Sequence, residues 1–293
     1  MARFDRTVII FNPASTGEAP RLAEQLRRDL EQRLPDMAIT LQPTRYAGHA
    51  RELAREAAAR GRPVVVSVSG DGGYSEVVDG VMKSGNDQVV CTVLAAGNAN
   101  DHSRSTRRRP LADAIALGDI RRIDLLRLTV GTGTDVRVQY AHSYIGLGLT
   151  PTVAIELERG GKGSLREIVS TLRTFARFRP FVIELTDGTQ RSFDSLVFAN
   201  IAQMAKYAAI SDDGRPDDGR FEVVMWPHTA KWRVLGTAVK AVTLGLGPQP
   251  SEREYHFTTV KPMPMQVDGE VLELAAGQTV AVDIAAKALA TIA

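Results

Sequence analysis

The apolar positions of roughly the first 120 residues form short runs that alternate with stretches of helical spacing. Val64-Val65-Val66-Ser67-Val68 is typical of a strand buried on both faces, whereas Leu22, Leu26 and Leu30 recur at a helical interval. The pattern predicts strands at 7–11, 38–42, 64–68 and 89–94, and helices at 20–34, 48–60, 74–83 and 110–117. Strands that alternate with helices predict an α/β domain with a parallel sheet covered on both faces.

From about Ile123 the pattern changes to β hairpins. Asp187-Gly188 separates two strand-like runs and is typical of a two-residue hairpin turn. Strands are predicted at 123–130, 135–145, 181–186, 190–199, 220–226, 254–260, 264–268 and 278–284, and a helix at 164–178. We therefore predict two domains, 1–124 and 125–293, the second an antiparallel β-sandwich. The last residues are free to return to the first domain.

Composition narrows the class of protein. The 293 residues are 44% hydrophobic and 24% charged, which excludes general disorder. The net charge of only +2 argues against a nucleic-acid-binding protein, whose surface would be strongly basic. The single cysteine, Cys91, indicates a reducing compartment, and no run approaches the ~20 apolar residues that span a bilayer. We expect a cytoplasmic protein.

The segment from Ser69 to Glu76 carries the most specific signal. It lies between a predicted strand and a predicted helix and reads S-G-D-G-G-Y-S-E. Glycines let the backbone approach a ligand closely, and a helix N-terminus favours phosphate. A carboxylate at Asp71, among such amides, indicates a divalent cation between it and the phosphate. The alternative is a tight turn without a ligand.

Two further turns rich in glycine, asparagine or aspartate follow predicted strands. Asn12 to Gly17 follows the first strand, and Ala95 to Asp101 follows the fourth. If the strands are parallel, these turns lie at the carboxyl edge of the sheet, where open α/β sheets bind their ligands.

Together these turns resemble the diacylglycerol kinase catalytic-domain family, soluble lipid kinases that include the sphingosine and ceramide kinases. The family reads roughly N-P-x-S-G, G-G-D-G-T-x-N-E and P-L-G-T-x-N-D-F at the three turns. Later matches occur at Asp217-Asp218-Gly219 and Asp268-Gly269-Glu270, so the resemblance extends over nearly the whole chain. It implies a Rossmann-like first domain of the NAD kinase and diacylglycerol kinase type, followed by the β-sandwich.

The chain departs from the family at several positions. Ser69, Gly73 and Ser75 stand where the family has glycine, threonine and asparagine, and Asn98 and His102 replace a threonine and an aromatic residue. The lost hydroxyls would have bound phosphate or nucleotide, a task that backbone amides and Asn98 are able to share. The family residues that are kept are Asp71, Gly72, Glu76, Gly97, Asn100 and Asp101.

The resemblance implies an ATP-binding, Mg²⁺-dependent transferase of lipid metabolism and phospholipid biosynthesis, with the lipid entering an interdomain cleft. The implied nucleotide-binding residues are Asn12, Thr44, Ser69, Gly70, Asp71, Gly72, Gly73, Tyr74, Ser75, Glu76, Gly97 and Asn98. The segment around Thr44 is also compatible with an ordinary helix start.

Catalysis is assigned by the resemblance to Glu270 as the base, with Asp268 beside it and Asp71 facing the metal. Asp268-Gly269 is equally readable as a simple type I′ hairpin turn. A structural Mg²⁺ is implied at the side chain of Asp218 and the carbonyls of Arg215 and Arg220, for which a plain acidic turn is the alternative.

The expected partners are a lipid substrate and, transiently, the inner face of a membrane. Basic residues on the predicted helix 164–178 and at 104–109 favour an anionic bilayer, although a core-packed helix with a solvated face explains the first set equally well. No nucleic acid is expected, and a homodimer is left open. The alternative functions are a kinase of a soluble acceptor, similar to NAD kinase, and a non-catalytic nucleotide- or lipid-binding regulator.

Overall fold

The chain divides into two compact units. The computed structural model describes residues 4–15, 18–96, 109–148, 180–201, 203–204, 208–209, 215–228 and 247–292. The first unit runs to Leu125 and takes in the chain from Ala286 onward, and the second is Leu126–Ala285. Each unit has its own cluster of buried apolar side chains.

The first unit is an α/β structure. Its strands are β1 Arg6–Phe11, β2 Ala38–Pro43, β3 Pro63–Ser69 and β4 Val90–Ala95, and its helices are α1 Ala19–Arg33, α2 His49–Ala58, α3 Asp71–Ser84 and α4 Leu111–Leu117. The strands are parallel in the order β2-β1-β3-β4. The end of the last strand, β17 (Thr279–Ile292), pairs in parallel with β4 at Ala290 and Val90. The predicted parallel sheet is therefore confirmed.

Both faces of this sheet are buried. Ile9, Val64 and Val66 pack with residues of α1 and α4 in one cluster. The intervening residues Val8 and Val65 are also buried and, since successive side chains of a strand alternate, lie on the opposite face. Helices α2 and α3 contact the same strands and each other. The near-continuous apolar run of β3 reflects the packing of helices on both faces of the sheet.

The second unit is antiparallel. Its strands are β6 Arg137–Ala141, β7 Tyr144–Gly148, β8 Phe181–Leu185, β9 Gln190–Ala199, β10 Gln203–Met204, β11 Ala208–Ala209, β12 Phe221–Pro227, β13 Ser251–Glu252, β14 Glu254–Thr259, β15 Met263–Val267 and β16 Glu270–Leu274, with parts of β5 Ile120–Val130 and β17. The order β16-β15-β7-β9-β8-β14-β17 runs through the main sheet, and its neighbours pair in antiparallel fashion. An α/β part followed by an antiparallel part confirms the predicted fold class.

Three elements differ from the prediction. The strand expected at 135–145 is interrupted at His142 and Ser143, because a carboxylate from elsewhere in the unit binds their N–H groups. Strand β16 was not predicted, because it is only five residues long and begins immediately after the turn at Asp268-Gly269. Helix α3 starts at Asp71 and not at Tyr74, so the glycine turn forms the first helical turn.

The predicted helix at 164–178 and the turn at Gly97–His102 lie outside the described residues. Within the part of the chain that is described, no helix has both the length and the apolar character needed to cross a membrane.

Candidate active site

The carboxyl ends of three parallel strands meet at one edge of the first unit's sheet. Thr44, after β2, donates its N–H to the carbonyl of Phe11 at the end of β1 over 2.9 Å. Asn12 accepts the N–H of Ala14 through its side-chain oxygen at 2.9 Å, which shapes the turn after β1. Ser69 ends β3. Parallel pairing thus gathers residues that are far apart in sequence.

These residues line a cavity of about 580 Å³. This volume is typical of small-molecule sites, which measure roughly 300–1,000 Å³. The predicted nucleotide-binding residues in its wall are Asn12, Thr44, Ser69, Gly73 and Glu76. Arg45, Tyr46 and Ser67 also line it and were not singled out from the sequence. The sequence therefore located the cavity but not its full lining.

The glycine turn forms the N-terminus of α3. Gly70 precedes the helix in an extended conformation (φ −88°, ψ −172°), and Asp71 is the first helical residue. The first intrahelical bond runs from the N–H of Tyr74 to the carbonyl of Gly70 at 3.1 Å. The N–H groups of the preceding residues have no acceptor within the helix, and the helix dipole adds positive potential at this end. An anion is favoured there.

Glu76 connects α3 to the start of α2. Its carboxylate accepts the N–H of Gly48 at 3.3 Å, and it also lines the cavity. Gly48 lies in the left-handed region (φ 85°) immediately before α2, where a side chain would be strained. Glu76 thus fixes the loop that follows Thr44.

The remaining residues of the turn do not line the cavity wall. Tyr74 is fully buried, and its hydroxyl is hydrogen-bonded to Cys91. Burial raises the pKa of the Cys91 thiol to about 12, the Tyr74 bond opposing this slightly, so the thiol is protonated at neutral pH. Ser75 is also buried, and its hydroxyl has no partner among the described residues. Gly70, Asp71 and Gly72 border the cavity without lining it, and Gly97 and Asn98 lie outside the described residues.

In the second unit, Asp268-Gly269 is a hairpin turn between β15 and β16. Both residues have positive φ, 45° and 99°, as a type I′ turn requires. Val267 and Glu270 form the pair that closes the turn. The turn places Glu270 at the first position of β16, where it is half-buried.

Asp268 is only 1% exposed, and its carboxylate is held by the backbone. It accepts the N–H groups of His142, Ser143 and Tyr144 at 2.7, 3.0 and 2.8 Å. The Nε2 atom of His142 lies 3.4 Å from the same carboxylate. A buried carboxylate with this many donors anchors the segment between β6 and β7. Asp268 therefore positions the turn that carries Glu270, and its catalytic role stays a prediction.

Glu270 is oriented by a neighbouring side chain. The amide nitrogen of Gln139 on β6 donates to its carboxylate at 2.9 Å. Gln139 is buried, so the bond is shielded from solvent. Neither Gln139 nor His142 was identified from the sequence, because a single buried polar residue within a strand gives no periodic signal.

The predicted structural metal site lies just before β12. Asp218 is exposed, and its Oδ1 atom accepts the N–H of Arg220 at 3.0 Å. The guanidinium of Arg220 donates to the hydroxyl of Ser251 at 3.0 Å and also to its carbonyl. Arg215 is exposed. One Asp218 oxygen and the backbone carbonyls thus remain the oxygen donors that a hard cation such as Mg²⁺ prefers.

Among the described residues, one cluster of three His, Asp or Glu side chains has metal-binding spacing. It consists of Glu254, His256 and Asp283, with ligand atoms within 4.8 Å of one another. Asp283 is already engaged by Arg127 at 3.1 Å and by His256 at 3.2 Å. A cation would have to compete with the Arg127 guanidinium.

Comparison with known proteins agrees with this geometry. The model of the diacylglycerol kinase catalytic domain matches residues 6–128. The match is consistent with the resemblance seen in the sequence and covers most of the first unit. No curated protein shows a significant match. The family is one of kinases.

Solved structures extend the similarity to the whole chain. A structure described as a diacylglycerol kinase from Bacillus anthracis str. Sterne is 18% identical, with a TM-score of 0.74 over 100% of this chain and 98% of the other. A candidate diacylglycerol kinase from the same organism is 19% identical, with the same TM-score and coverage. At these identities the likeness shows the fold alone.

The structure explains two departures from the diacylglycerol kinase pattern. A Cβ atom on Gly73 would lie 2.7 Å from the Cβ and 2.8 Å from the hydroxyl of Ser69, closer than real contacts allow. A side chain therefore fits at only one of the two positions. The family pattern has glycine at the first and threonine at the second, whereas this chain has the reverse. The hydroxyl has moved from the helix to the end of the strand, where it lies 2.7 Å from the Ser67 hydroxyl.

This exchange predicts strong coupling between the two positions. Gly73→Ala should lower the free energy of unfolding by about 1–3 kcal/mol, because the methyl group overlaps Ser69. In the Ser69→Gly/Gly73→Ala double variant most of that loss should disappear, since the space is vacated, giving a coupling energy of about 1–2 kcal/mol. Urea unfolding of the wild type, both single variants and the double variant measures the cycle. Gly72→Ala, at the exposed neighbour, is the matched control, and strictly additive effects would contradict the steric account.

Proposed function

We propose that the protein is an ATP-dependent kinase that transfers the γ-phosphate of ATP to a hydroxyl group of a diacylglycerol-like or related lipid. The supporting observation is the cavity at the ends of β1, β2 and β3, which gathers five of the residues implied for nucleotide binding within the kinase-family domain. We assign nucleotide binding to residues 1–124 and acceptor binding to residues 125–293.

The first turn of α3 is proposed to hold the phosphates. Its amides and dipole favour an anion, and Ser69 adds a hydroxyl at the cavity wall. Gly73 keeps the approach open, because a side chain there would compete with Ser69 for the same space.

The oxygen donors of this chain suit Mg²⁺. Asp71, half-buried in the first turn of α3, would hold the catalytic ion, and Asp218 with the carbonyls of Arg215 and Arg220 a structural one. When bound, Mg²⁺ neutralises the charge that develops on the transferred phosphoryl group. The sequence has no G-x-x-x-x-G-K-[ST] motif, whose lysine neutralises phosphate charge in other nucleotide sites. The ion that Asp71 would orient therefore carries more of this neutralisation.

Glu270 is proposed to be the base. The acceptor oxygen forms a bond to the γ-phosphorus, the bond from that phosphorus to the β,γ-bridging oxygen breaks and ADP leaves with that oxygen, and the hydroxyl proton passes to the Glu270 carboxylate. Gln139 restricts the carboxylate to one orientation through its 2.9 Å hydrogen bond. In a loose transition state the acceptor hydroxyl loses its proton late, so the position of the base matters more than its basicity. An ordinary carboxylate therefore suffices.

The acceptor is proposed to be reached at a membrane surface from the cytoplasmic side. This rests on the lipid class that the resemblance to the diacylglycerol kinase family implies.

The test is incubation of the full chain with labelled ATP, Mg²⁺ and a total lipid extract, with NAD in a parallel reaction. We expect label in a chloroform-soluble product, none in NAD, and loss of the product on chelation with EDTA. Label in NAD would instead establish a soluble-acceptor kinase. Tight ATP binding without any labelled product would establish a non-catalytic regulator.

A further inference from the structure

Tyr46 lies in the wall of the cavity and is unusually exposed. The residue is 56% exposed, whereas most large apolar residues of the described part of the chain are buried. It belongs to the loop between β2 and α2, which also contributes Thr44 and Arg45 to the cavity. An aromatic ring that opens onto a ligand-sized cavity is a candidate for a contact with the ligand.

The Tyr46 ring is held in place from two sides. It stacks on the imidazole of His49 with ring centroids 4.5 Å apart and an interplanar angle of 23°. Its hydroxyl donates to Glu52 at 2.5 Å, a bond that raises the pKa of the phenol and keeps it a donor. His49 is itself oriented, because its Nδ1 atom accepts the N–H of Arg45 at 3.1 Å.

This arrangement is a preorganised flat surface. Among the described residues, the Tyr46 ring stacks on no ring other than His49, which covers one of its faces. The large exposed fraction indicates that much of the remaining ring is open. A rigid ring that contacts a ligand loses little conformational entropy on binding, in contrast to a freely rotating surface side chain.

We propose that Tyr46, supported by His49, is the stacking platform for the nucleobase of the phosphate donor. This inference rests on the proposed function, which places the phosphates at the first turn of α3, against Ser69 and Gly73. The same cavity is lined by Tyr46 from a different loop, so one nucleotide has a polar wall for its phosphates and an aromatic wall for its base. Stacking recognises the flat face that every base presents, so the platform accepts different nucleobases.

The test compares ATP with inorganic tripolyphosphate, which carries the phosphates without a base. Dissociation constants are measured by calorimetry with Mg²⁺ for the wild type, Tyr46→Ala, Tyr46→Leu and Tyr46→Phe. We expect Tyr46→Ala and Tyr46→Leu to weaken ATP binding about 10-fold, the lower part of the range for loss of one base–aromatic stack. Tyr46→Phe, which keeps the ring, should stay close to the wild type. Tripolyphosphate binding should be the same in all four proteins.

The outcomes separate the platform from the function on which it rests. If the wild type binds ATP and Tyr46→Ala binds it equally well, the platform is wrong and the proposed function stands. If Tyr46→Ala weakens ATP and tripolyphosphate alike, Tyr46 shapes the loop and contacts no base, which also overturns the platform. A wild type that binds neither ligand overturns both. Urea unfolding of each variant confirms that the fold is kept.

Discussion

Glu270→Gln is expected to lower the turnover number about 10²- to 10⁴-fold, the usual contribution of a positioned general base. The amide keeps the size of the side chain and its hydrogen-bonding partner Gln139 but cannot take the acceptor proton. The dissociation constant for ATP should change little, because Glu270 does not line the cavity at the ends of β1, β2 and β3 that is proposed to bind the nucleotide. Initial rates with the labelled lipid product, together with calorimetric ATP binding, measure the two effects separately.

Glu273→Gln is the matched control. Glu273 lies on the same strand, β16, and is exposed, so this variant removes the same charge from the same hairpin. Its turnover should match that of the wild type. Full turnover in Glu270→Gln would remove Glu270 from the mechanism, and an equal loss in both variants would point to a general charge effect of the hairpin.

Asp268→Ala is expected to lower the free energy of unfolding by at least about 3 kcal/mol, because three N–H groups lose their acceptor and each costs about 1–3 kcal/mol when left buried without a partner. Asp268→Asn should cost less, since its amide oxygen still accepts hydrogen bonds and asparagine tolerates the left-handed backbone of this position (φ 45°). Urea unfolding followed by circular dichroism measures both variants.

The control for this prediction is Asp187→Ala. Asp187-Gly188 is another Asp-Gly hairpin turn among the described residues, and the Asp187 carboxylate accepts the N–H of Thr189 at 2.8 Å at an exposed position. Water replaces that bond readily, so only a slight change in stability is expected. A similar loss in Asp187→Ala and Asp268→Ala would show that the turn residue matters and the buried network around Asp268 does not.

The sequence predicted the first unit well because its signals are local. A run such as Val64–Val68 identifies a strand without reference to the rest of the chain, and the glycine turn marks the end of that strand that lines the cavity. The break between β6 and β7 could not be predicted. It depends on Asp268, which lies more than 120 positions further along the chain and meets His142 only in the folded unit.

The residues that line the cavity could likewise be predicted from the sequence only in part. Thr44 and Ser69 lie beside motifs, whereas Tyr46 and Ser67 are ordinary residue types in a loop and a strand. Their importance arises from parallel pairing, which brings loops from separate strands to one edge. The exchange of Ser69 and Gly73 was visible in the sequence as two separate departures. Only the distance between the two positions shows that a side chain at one of them excludes a side chain at the other.

The pairing of Ala290 with Val90 bears on how the protein is made. Strand β4 is synthesised early and pairs with β3 on one side, whereas its partner on the other side, the end of β17, is synthesised only after the antiparallel unit. Until β17 has been synthesised, β4 is an edge strand of the first sheet among the described residues. An unpaired edge strand promotes association with other chains. We expect this interval to be the stage of biosynthesis at which the protein depends most on chaperones.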